Sequence, residues 1–214
     1  MMYTIKDILS LGPLIPVITL EKVEHALPLA DALAEGGIKT MEITLRTPAA
    51  LDAITLLTAE RRNMVVGAGT ITTVDGFDKV KKAGAQFIIS PGVTETLLSA
   101  GKQCGVPYIP GTATTSEALL AMQHGFNFLK FFPAEIAGGV PMLKNFSALF
   151  GNVKFCPTGG ITQNNMNEYL GLPNVMCVGG SWIVPAKTIR EKQWGEITRL
   201  VKESLDAVEK VKIL

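Results

Sequence analysis

The 214-residue sequence has few cysteines, almost no net charge and no long apolar segment, and each deficit excludes a class of protein. Its three cysteines, Cys104, Cys156 and Cys177, are far apart and odd in number, which argues against a disulfide framework or a zinc cluster. A net charge of +1 gives no reason to expect a nucleic-acid or membrane-surface partner. No apolar run approaches the roughly 18 residues of a membrane span, and residues 1–20 lack the basic leader of a signal peptide. We therefore expect a cytoplasmic protein.

Histidine is equally scarce. The sequence has only His25 and His124, and each lies within or at the end of a helical pattern. Neither has a second histidine or a carboxylate at ligand spacing in the loops that follow the predicted strands. The sequence consequently predicts no metal site, and we interpret both histidines as surface or packing residues.

What the sequence does contain is a regular alternation of short β-like runs and amphipathic helical stretches. The predicted strands are Leu14–Thr19, Thr40–Leu45, Met64–Gly69, Gln86–Ser90, Pro107–Pro110, Asn127–Phe132, Val153–Thr158 and Val175–Gly179. The predicted helices are Glu21–Glu35, Pro48–Arg61, Thr73–Ala83, Glu95–Cys104, Ser116–His124, Val140–Leu149, Gln163–Leu170 and Ala186–Lys212. This pattern predicts a single α/β domain over residues 1–214, folded as a (β/α)₈ or TIM barrel.

The alternative to the barrel is an open, doubly wound sheet. We favour the barrel because there are eight strand–helix units and because polar residues collect at the strand ends. In addition, no GxGxxG fingerprint follows the first predicted strand. A short extra helix at about residues 4–11 is expected to cap one end of the barrel.

Local signals at helix starts agree with these assignments. Thr47-Pro48 predicts an N-cap followed by proline at the first helical position. Thr114 and Glu117 have the spacing of a capping box.

Lys130 is the least expected residue, because it stands in the middle of an apolar, aromatic strand. A lysine in a buried parallel strand is costly unless it is paired or neutral. Strand alternation puts it on one face with Phe128 and Phe132, and an apolar setting disfavours the ammonium form. A neutral amine is the form that attacks a ketone to give a Schiff base. The alternatives are a structural pair with a carboxylate or a lysine on an exposed edge strand.

The second predicted strand carries polar residues on one face. Alternation places Glu42, Thr44 and Arg46 together, toward the interior of a barrel, with Arg46 at the carboxyl-terminal mouth. A buried carboxylate can move protons, and a guanidinium can hold a substrate carboxylate. A structural Glu42–Arg46 pair, or a Glu42–Lys130 salt bridge without turnover, explains the pattern equally well.

Glycine-rich segments follow or end three predicted strands. Gly67-Ala68-Gly69-Thr70 ends the third strand, Gly159-Gly160 follows the seventh, and Gly179-Gly180-Ser181 ends the eighth. The last two segments are the ones at which a barrel phosphate site is expected. Barrels often bind phosphate in these two loops through backbone N–H groups. Simple turn chemistry is the alternative, since glycine permits tight turns.

Taken together and in order, these motifs resemble the family of 2-dehydro-3-deoxy-6-phosphogluconate (KDPG) and 4-hydroxy-2-oxoglutarate aldolases. The resemblance covers nearly the whole chain. The segments that carry it are Ile15-Pro16-Val17-Ile18, Glu42-Ile43-Thr44-Leu45-Arg46-Thr47, Gly67-Ala68-Gly69-Thr70, Ile89-Ser90-Pro91-Gly92, Lys130-Phe131-Phe132-Pro133-Ala134-Glu135, Phe155-Cys156-Pro157-Thr158-Gly159-Gly160 and Gly179-Gly180-Ser181-Trp182.

The resemblance implies a class I aldolase on a TIM barrel, a homotrimer that needs no metal and no other cofactor. It implies cleavage of KDPG to pyruvate and D-glyceraldehyde 3-phosphate, and cleavage of 4-hydroxy-2-oxoglutarate as a second activity. By matching motifs, it makes Lys130 the Schiff-base lysine and Glu42 the acid/base. Arg46 and Thr70 would hold the pyruvate carboxylate, and Pro91 would shape that pocket.

The other end of the substrate has its own implied contacts. The resemblance assigns Gly159, Gly160 and Ser181 to the phosphate, and Thr158 to a position close to the substrate chain. A phosphorylated keto acid is therefore the expected partner.

Three readings compete with this one. An aldolase for the galactonate epimer of the substrate is the nearest. Another phosphosugar barrel enzyme, such as an epimerase, isomerase or decarboxylase, would use carboxylates, histidines or a metal, and would not require a lysine between phenylalanines. A phosphometabolite-binding barrel without turnover would not need both a nucleophile and a proton shuttle.

Overall fold

A computed structural model gives the structure of the chain and describes residues 3–212, with side chains up to residue 208. The strands β1 to β9 are, in chain order, Leu14–Ile18, Thr40–Thr44, Val65–Gly69, Phe87–Ile89, Tyr108–Ile109, Gly111–Thr112, Phe128–Phe131, Lys154–Pro157 and Val178–Gly180. The helices α1 to α10 are Ile5–Leu9, Ala26–Gly36, Ala50–Glu60, Val74–Lys82, Glu95–Gln103, Thr115–Gln123, Gly139–Leu149, Met166–Leu170, Ala186–Arg190 and Trp194–Lys212. A 3₁₀ helix, Val23–His25, precedes α2. Within residues 3–212, every helix is too short or too polar to span a lipid bilayer.

The strands pair in parallel and close into a barrel. One hydrogen-bonded run has the order β5-β4-β3-β2-β1-β9, and a second has the order β6-β7-β8. β5 and β6 are parts of one barrel strand interrupted at Pro110, whose carbonyl accepts the N–H of Lys130 at 2.9 Å. On the other side, a parallel bridge between Thr158 and Gly179 joins β8 to β9. The (β/α)₈ prediction is confirmed, because eight strand positions then follow one another around the barrel.

Apolar side chains fill the amino-terminal part of the barrel interior. Ile8 and Leu9 of α1 belong to this buried cluster together with Val65 and Phe87, which begin β3 and β4. The helix α1 therefore covers the amino-terminal end of the barrel. Gly67 faces the Phe87 ring, and a β-carbon there would collide with it, so this glycine provides space rather than a turn.

A second apolar layer lies between the strands and the helices. Phe131 on β7, Phe146 on α7 and Phe155 on β8 pack at ring-centroid distances of 5.3–6.5 Å. Truncating one such buried ring to alanine typically costs about 3–5 kcal/mol. Because Phe131 belongs to this outer layer, its neighbour Lys130 points to the interior, as strand alternation requires.

The last helix closes the outer ring against α2. Thr198 of α10 donates a hydrogen bond to the carbonyl of Ala32 at 2.9 Å. The side chain of Val201 fills the space beside Gly36, where a β-carbon would lie 2.6 Å from it. These contacts hold α10, the last helix, against α2.

One of the two helix starts predicted from capping signals is wrong. Ala49, not Thr47, is the N-cap of α3, and the Thr47 hydroxyl instead donates to the carbonyl of Leu20. The hydroxyl therefore donates to a carbonyl that follows β1, instead of accepting from a local backbone N–H as an N-cap does. The capping box of Thr114 and Glu117 is confirmed at the start of α6.

Several predicted elements have different extents, and the predicted helix Glu21–Glu35 is the 3₁₀ helix Val23–His25 followed by α2. The stretch Ala186–Lys212 is not one helix but α9 and α10, separated near Lys192, whose φ of 54° is incompatible with a continuous helix. The eighth strand begins at Val178, because Val175 makes only an isolated bridge to Phe155.

Candidate active site

Lys130 and Glu42 meet inside the barrel. The Lys130 Nζ lies 3.4 Å from Glu42 Oε1, although the residues are 88 positions apart in the chain. Their exposed fractions are 5% and 2%. The amine also lies 5.2 Å from the centroid of the Phe132 ring. The carboxylate and the aromatic face are both favourable neighbours for a buried amine.

Space for the Glu42 carboxylate comes from the next strand. Glu42 on β2 is in register with Gly67 of β3, and its side chain crosses over Gly69. A β-carbon at Gly69 would collide with the Glu42 carboxylate oxygen. We therefore explain the glycine-rich end of β3 by close approach of a functional side chain.

The main pocket opens at the carboxyl-terminal ends of the strands and has a volume of 410 Å³. Phe132 lines it, and the centroid of this ring lies 5.2 Å from the Lys130 amine, so the Lys130–Glu42 pair is close to the pocket without being among its lining residues. The lining residues are Val17, Thr19, Arg46, Phe132, Thr158, Gly159, Gly160, Ile161, Gly180, Ser181, Val184, Pro185 and Ala186.

Arg46 is an exposed side chain at the mouth of this pocket. Among the described residues its guanidinium has no ion-pair or hydrogen-bond partner, so a structural Glu42–Arg46 pair is not formed. A cation that is free of protein partners is available to a ligand carboxylate or phosphate.

The two glycine loops form the opposite part of the mouth. Gly159 and Gly160 have φ values of 101° and 79°, a left-handed conformation that favours glycine. The backbone N–H groups of Gly159, Gly160 and Ser181 donate to no acceptor within residues 3–212. Unpaired N–H groups around a concave turn are typical of an anion site.

A hydrogen bond behind the first loop holds it in place. The side chain of Glu135 lies against Gly160, and the backbone N–H of Glu135 donates to the carbonyl of Gly159 at 3.1 Å. The Tyr169 hydroxyl donates to the Glu135 carboxylate. Burial and this contact raise the pKa of Tyr169, so its hydroxyl stays protonated and remains a donor.

Thr70 and Pro91 follow β3 and β4 at the same end of the barrel, but they are not among the residues that line the main pocket. Thr70 has a φ of 64°, which is strained for a β-branched residue. The backbone of Pro91 packs closely on Gly111, where a β-carbon would lie 2.5 Å from the Pro91 carbonyl carbon. The pocket is thus lined by Arg46 and by the residues predicted to bind phosphate. Of the three residues predicted at the carboxylate end, only Arg46 lines it.

Thr19 and Val17 also line the pocket, and the sequence analysis did not select them as site residues. The available signal was a polar residue directly after an apolar strand, at the end of the barrel where barrel sites occur. Phe132, by contrast, could be found from the sequence, because strand alternation puts it on the same face of the strand as Lys130.

An amine that can attack a carbonyl carbon, with a carboxylate in reach to move protons and unpaired backbone N–H groups at the mouth above, is the equipment of an aldolase, a lyase.

The chain belongs to the KDPG and KHG aldolase family. The family model with the description "Aldolase: KDPG and KHG aldolase" matches residues 5–200. The chain is 48% identical to the 2-dehydro-3-deoxy-phosphogluconate aldolase of Dickeya dadantii, over 94% of each chain. It is 46% identical to the KHG/KDPG aldolase of Escherichia coli, again over 94% of each.

A solved structure gives the same result. The KDPG aldolase of Legionella pneumophila, with pyruvate captured as a covalent carbinolamine intermediate, superposes with a TM-score of 0.91 at 50% identity. The match covers 93% of this chain and 97% of the other.

Proposed function

We propose that this aldolase cleaves KDPG to pyruvate and D-glyceraldehyde 3-phosphate through a Schiff base on Lys130. The observation that carries the proposal is the buried Lys130–Glu42 pair, 3.4 Å apart, with the amine 5.2 Å from a ring that lines a 410 Å³ pocket. The names of the relatives in Dickeya and Escherichia coli support the substrate.

The reaction begins when the neutral amine of Lys130 attacks the keto carbon, C2, of the substrate. Glu42, directly or through one water, gives and takes protons while the carbinolamine loses water. The product is a protonated imine, which withdraws electrons from the neighbouring carbons.

The C3–C4 bond then breaks. A base takes the proton of the C4 hydroxyl, the aldehyde leaves, and the bonding electrons pass to the imine to form an enamine. Protonation at C3 and hydrolysis of the imine release pyruvate and restore Lys130.

Binding groups hold the reacting bond in place. Arg46 and Thr70 bind the pyruvate carboxylate, and Pro91 shapes this end of the site. Gly159, Gly160 and Ser181 bind the phosphate through their backbone N–H groups, and Thr158 lies beside the substrate chain. Fixing both ends of a substrate converts binding energy into orientation at the reacting carbon.

Reductive trapping tests the Schiff base. Borohydride with pyruvate should leave a stable adduct on the peptide that contains Lys130, and Lys130→Ala should lose both the adduct and aldol cleavage. Lys154 provides a matched control, because it lies on the adjacent strand and its amine donates to the Pro173 carbonyl at 2.9 Å. An adduct on another lysine, or cleavage by Lys130→Ala, would refute the assignment.

The same site fits 4-hydroxy-2-oxoglutarate, which has the same keto-acid end but no phosphate, and the relative in Escherichia coli is named for both substrates. We propose it as a second, less efficient substrate.

The galactonate epimer of KDPG differs from KDPG only in stereochemistry. Comparing kcat/KM for the gluconate and galactonate compounds decides between them.

We further propose that the aldolase works without a metal or other cofactor, in the cytoplasm and as a homotrimer. Three buried, free cysteines are compatible with a reducing compartment. Ile136, which is 88% exposed and directly follows Glu135, offers an apolar contact to a neighbouring subunit. Light scattering should give about three times the chain mass of 22.9 kDa.

A further inference from the structure

Thr19 occupies a middle position in the pocket. It follows β1, which lies between β2 and β9 in the barrel. The residue Arg46 follows β2, and Ser181 follows β9, so Thr19 lies between the proposed carboxylate-binding and phosphate-binding ends. A substrate held at both ends must pass its central carbons over this position.

The direction of the Thr19 hydrogen bond follows from counting protons. The Thr44 hydroxyl donates to the carbonyl of Ile18 at 2.9 Å, in a buried position, and a carbonyl can only accept. The two hydroxyls of Thr19 and Thr44 lie 3.0 Å apart. Since the single proton of Thr44 is already engaged, Thr19 must donate to Thr44. The oxygen of Thr19 then presents only lone pairs to the pocket.

An acceptor-only oxygen selects its ligand. It repels carboxylate, phosphate and carbonyl oxygens, which have no proton to donate, and it stabilises a hydroxyl group that does. We propose that Thr19 is a specificity-determining residue that accepts a hydrogen bond from the C5 hydroxyl of the substrate, which becomes the C2 hydroxyl of the aldehyde product. This inference rests on the proposed function, because it takes the two ends of the substrate from there.

The test uses the synthetic direction, in which pyruvate adds to an aldehyde. D-Glyceraldehyde 3-phosphate carries the relevant hydroxyl, and 3-phosphooxypropanal lacks it. Thr19→Val keeps the shape and removes the acceptor. It should lower kcat/KM for the hydroxylated aldehyde about fivefold to tenfold, the usual effect of one hydrogen bond, and change the deoxy aldehyde by less than about twofold.

A fluorinated aldehyde tests the direction of the bond. 2-Fluoro-3-phosphooxypropanal can accept weakly but cannot donate, so Thr19→Val should not lower its kcat/KM. The ratio of wild type to variant is taken for each aldehyde separately, which cancels its intrinsic reactivity. Thr19→Ser keeps the oxygen and should preserve the preference for the hydroxylated aldehyde.

The outcomes separate the two proposals. An equal effect of Thr19→Val on all aldehydes, or a loss confined to the fluorinated one, would overturn the role of Thr19 and leave the aldolase assignment intact. If the folded wild-type protein converts neither phosphorylated aldehyde, the proposed function fails, and the role of Thr19 fails with it.

Discussion

A lysine at the centre of a packed barrel needs a specific reason to be there. Lys130 has Glu42 at 3.4 Å and the Phe132 ring at 5.2 Å, and its amine makes no other hydrogen bond or ion pair among the described residues. Removing one member of such a buried pair typically costs about 3–5 kcal/mol, because the remaining charge is left uncompensated. Variants of either residue must therefore be checked for folding before their activity is interpreted.

Glu42→Gln tests the proton-transfer role. We expect kcat to fall roughly 10²–10⁴-fold, the usual contribution of general acid–base catalysis, with a much smaller change in substrate binding. Single-turnover measurements of imine formation and of bond cleavage show which step is slowed. Wild-type rates for both steps would mean that Glu42 is only structural.

Arg46→Ala tests the grip on the carboxylate. The guanidinium binds a group present in both the ground state and the transition state, so we expect KM to rise at least tenfold with a smaller fall in kcat. Arg46→Lys keeps the charge but not the two-pronged geometry and should be intermediate. Unchanged KM values for both KDPG and pyruvate would place the carboxylate elsewhere.

At the scale of elements and their connections, the loop after β8 leaves little space for a larger side chain. Gly160 has a left-handed backbone, and a β-carbon there would lie 2.5 Å from the side chain of Glu135. Any side chain at this position therefore moves the loop or displaces the Glu135–Tyr169 contact behind it.

We expect Gly160→Ala to raise KM for KDPG much more than KM for 4-hydroxy-2-oxoglutarate, which has no phosphate. Gly151→Ala is the matched control, since a β-carbon at Gly151 meets no atom within 4 Å. Steady-state kinetics with both substrates makes the comparison. Equal losses for the two substrates would show that the loop does not bind phosphate.

The whole barrel should lose stability at alkaline pH. Burial raises the pKa of Tyr108 to about 12, and the hydrogen bond to Ser90 offsets this only in part. The pKa of an unfolded tyrosine is about 10. Because the folded value is higher, this contribution is fully present below about pH 10 and is lost as the pH rises through 12.

The free energy of unfolding, measured in urea between pH 9 and pH 11.5, should therefore decrease with a slope of up to about 1.4 kcal/mol per pH unit from this group. Tyr108→Phe should have a shallower slope. Tyr3→Phe, a change at an exposed tyrosine, is the control. Parallel curves for Tyr108→Phe and wild type would refute the prediction.

Metal independence is a prediction at the scale of the whole molecule. Residues 3–212 contain no group of three or more histidine, cysteine, aspartate or glutamate side chains placed to hold an ion. We expect aldol cleavage to survive exhaustive EDTA treatment. Loss of activity that a divalent ion restores would contradict the class I mechanism.

Much of this molecule could be predicted from its sequence, because the information is local. Period-two alternation placed Glu42 and Lys130 on interior faces, and the structure confirms both as buried there. The alternation of eight strand–helix units predicted the barrel, since parallel strands of this kind have few other ways to bury both faces. The helix start was predicted correctly at Thr114, whose side chain bonds to a local backbone N–H, and wrongly at Thr47, whose hydrogen-bond partner lies 27 residues away.

Other features depend on how distant segments come together, and no spacing in the sequence contains them. The 3.4 Å approach of Lys130 to Glu42 arises from barrel closure, which brings β2 and β7 across a common interior. From the sequence alone, Gly69 is explained equally well by a turn. The structure shows that a β-carbon at this position would collide with the Glu42 carboxylate. The acceptor-only state of Thr19 needs two hydrogen bonds across β1 and β2, which exist only in the register that pairs Ile18 with Ile43. Residue types and periodicity therefore determined the fold and the chemistry, whereas register and closure determined the geometry, because contacts between strands are set by packing of the whole barrel.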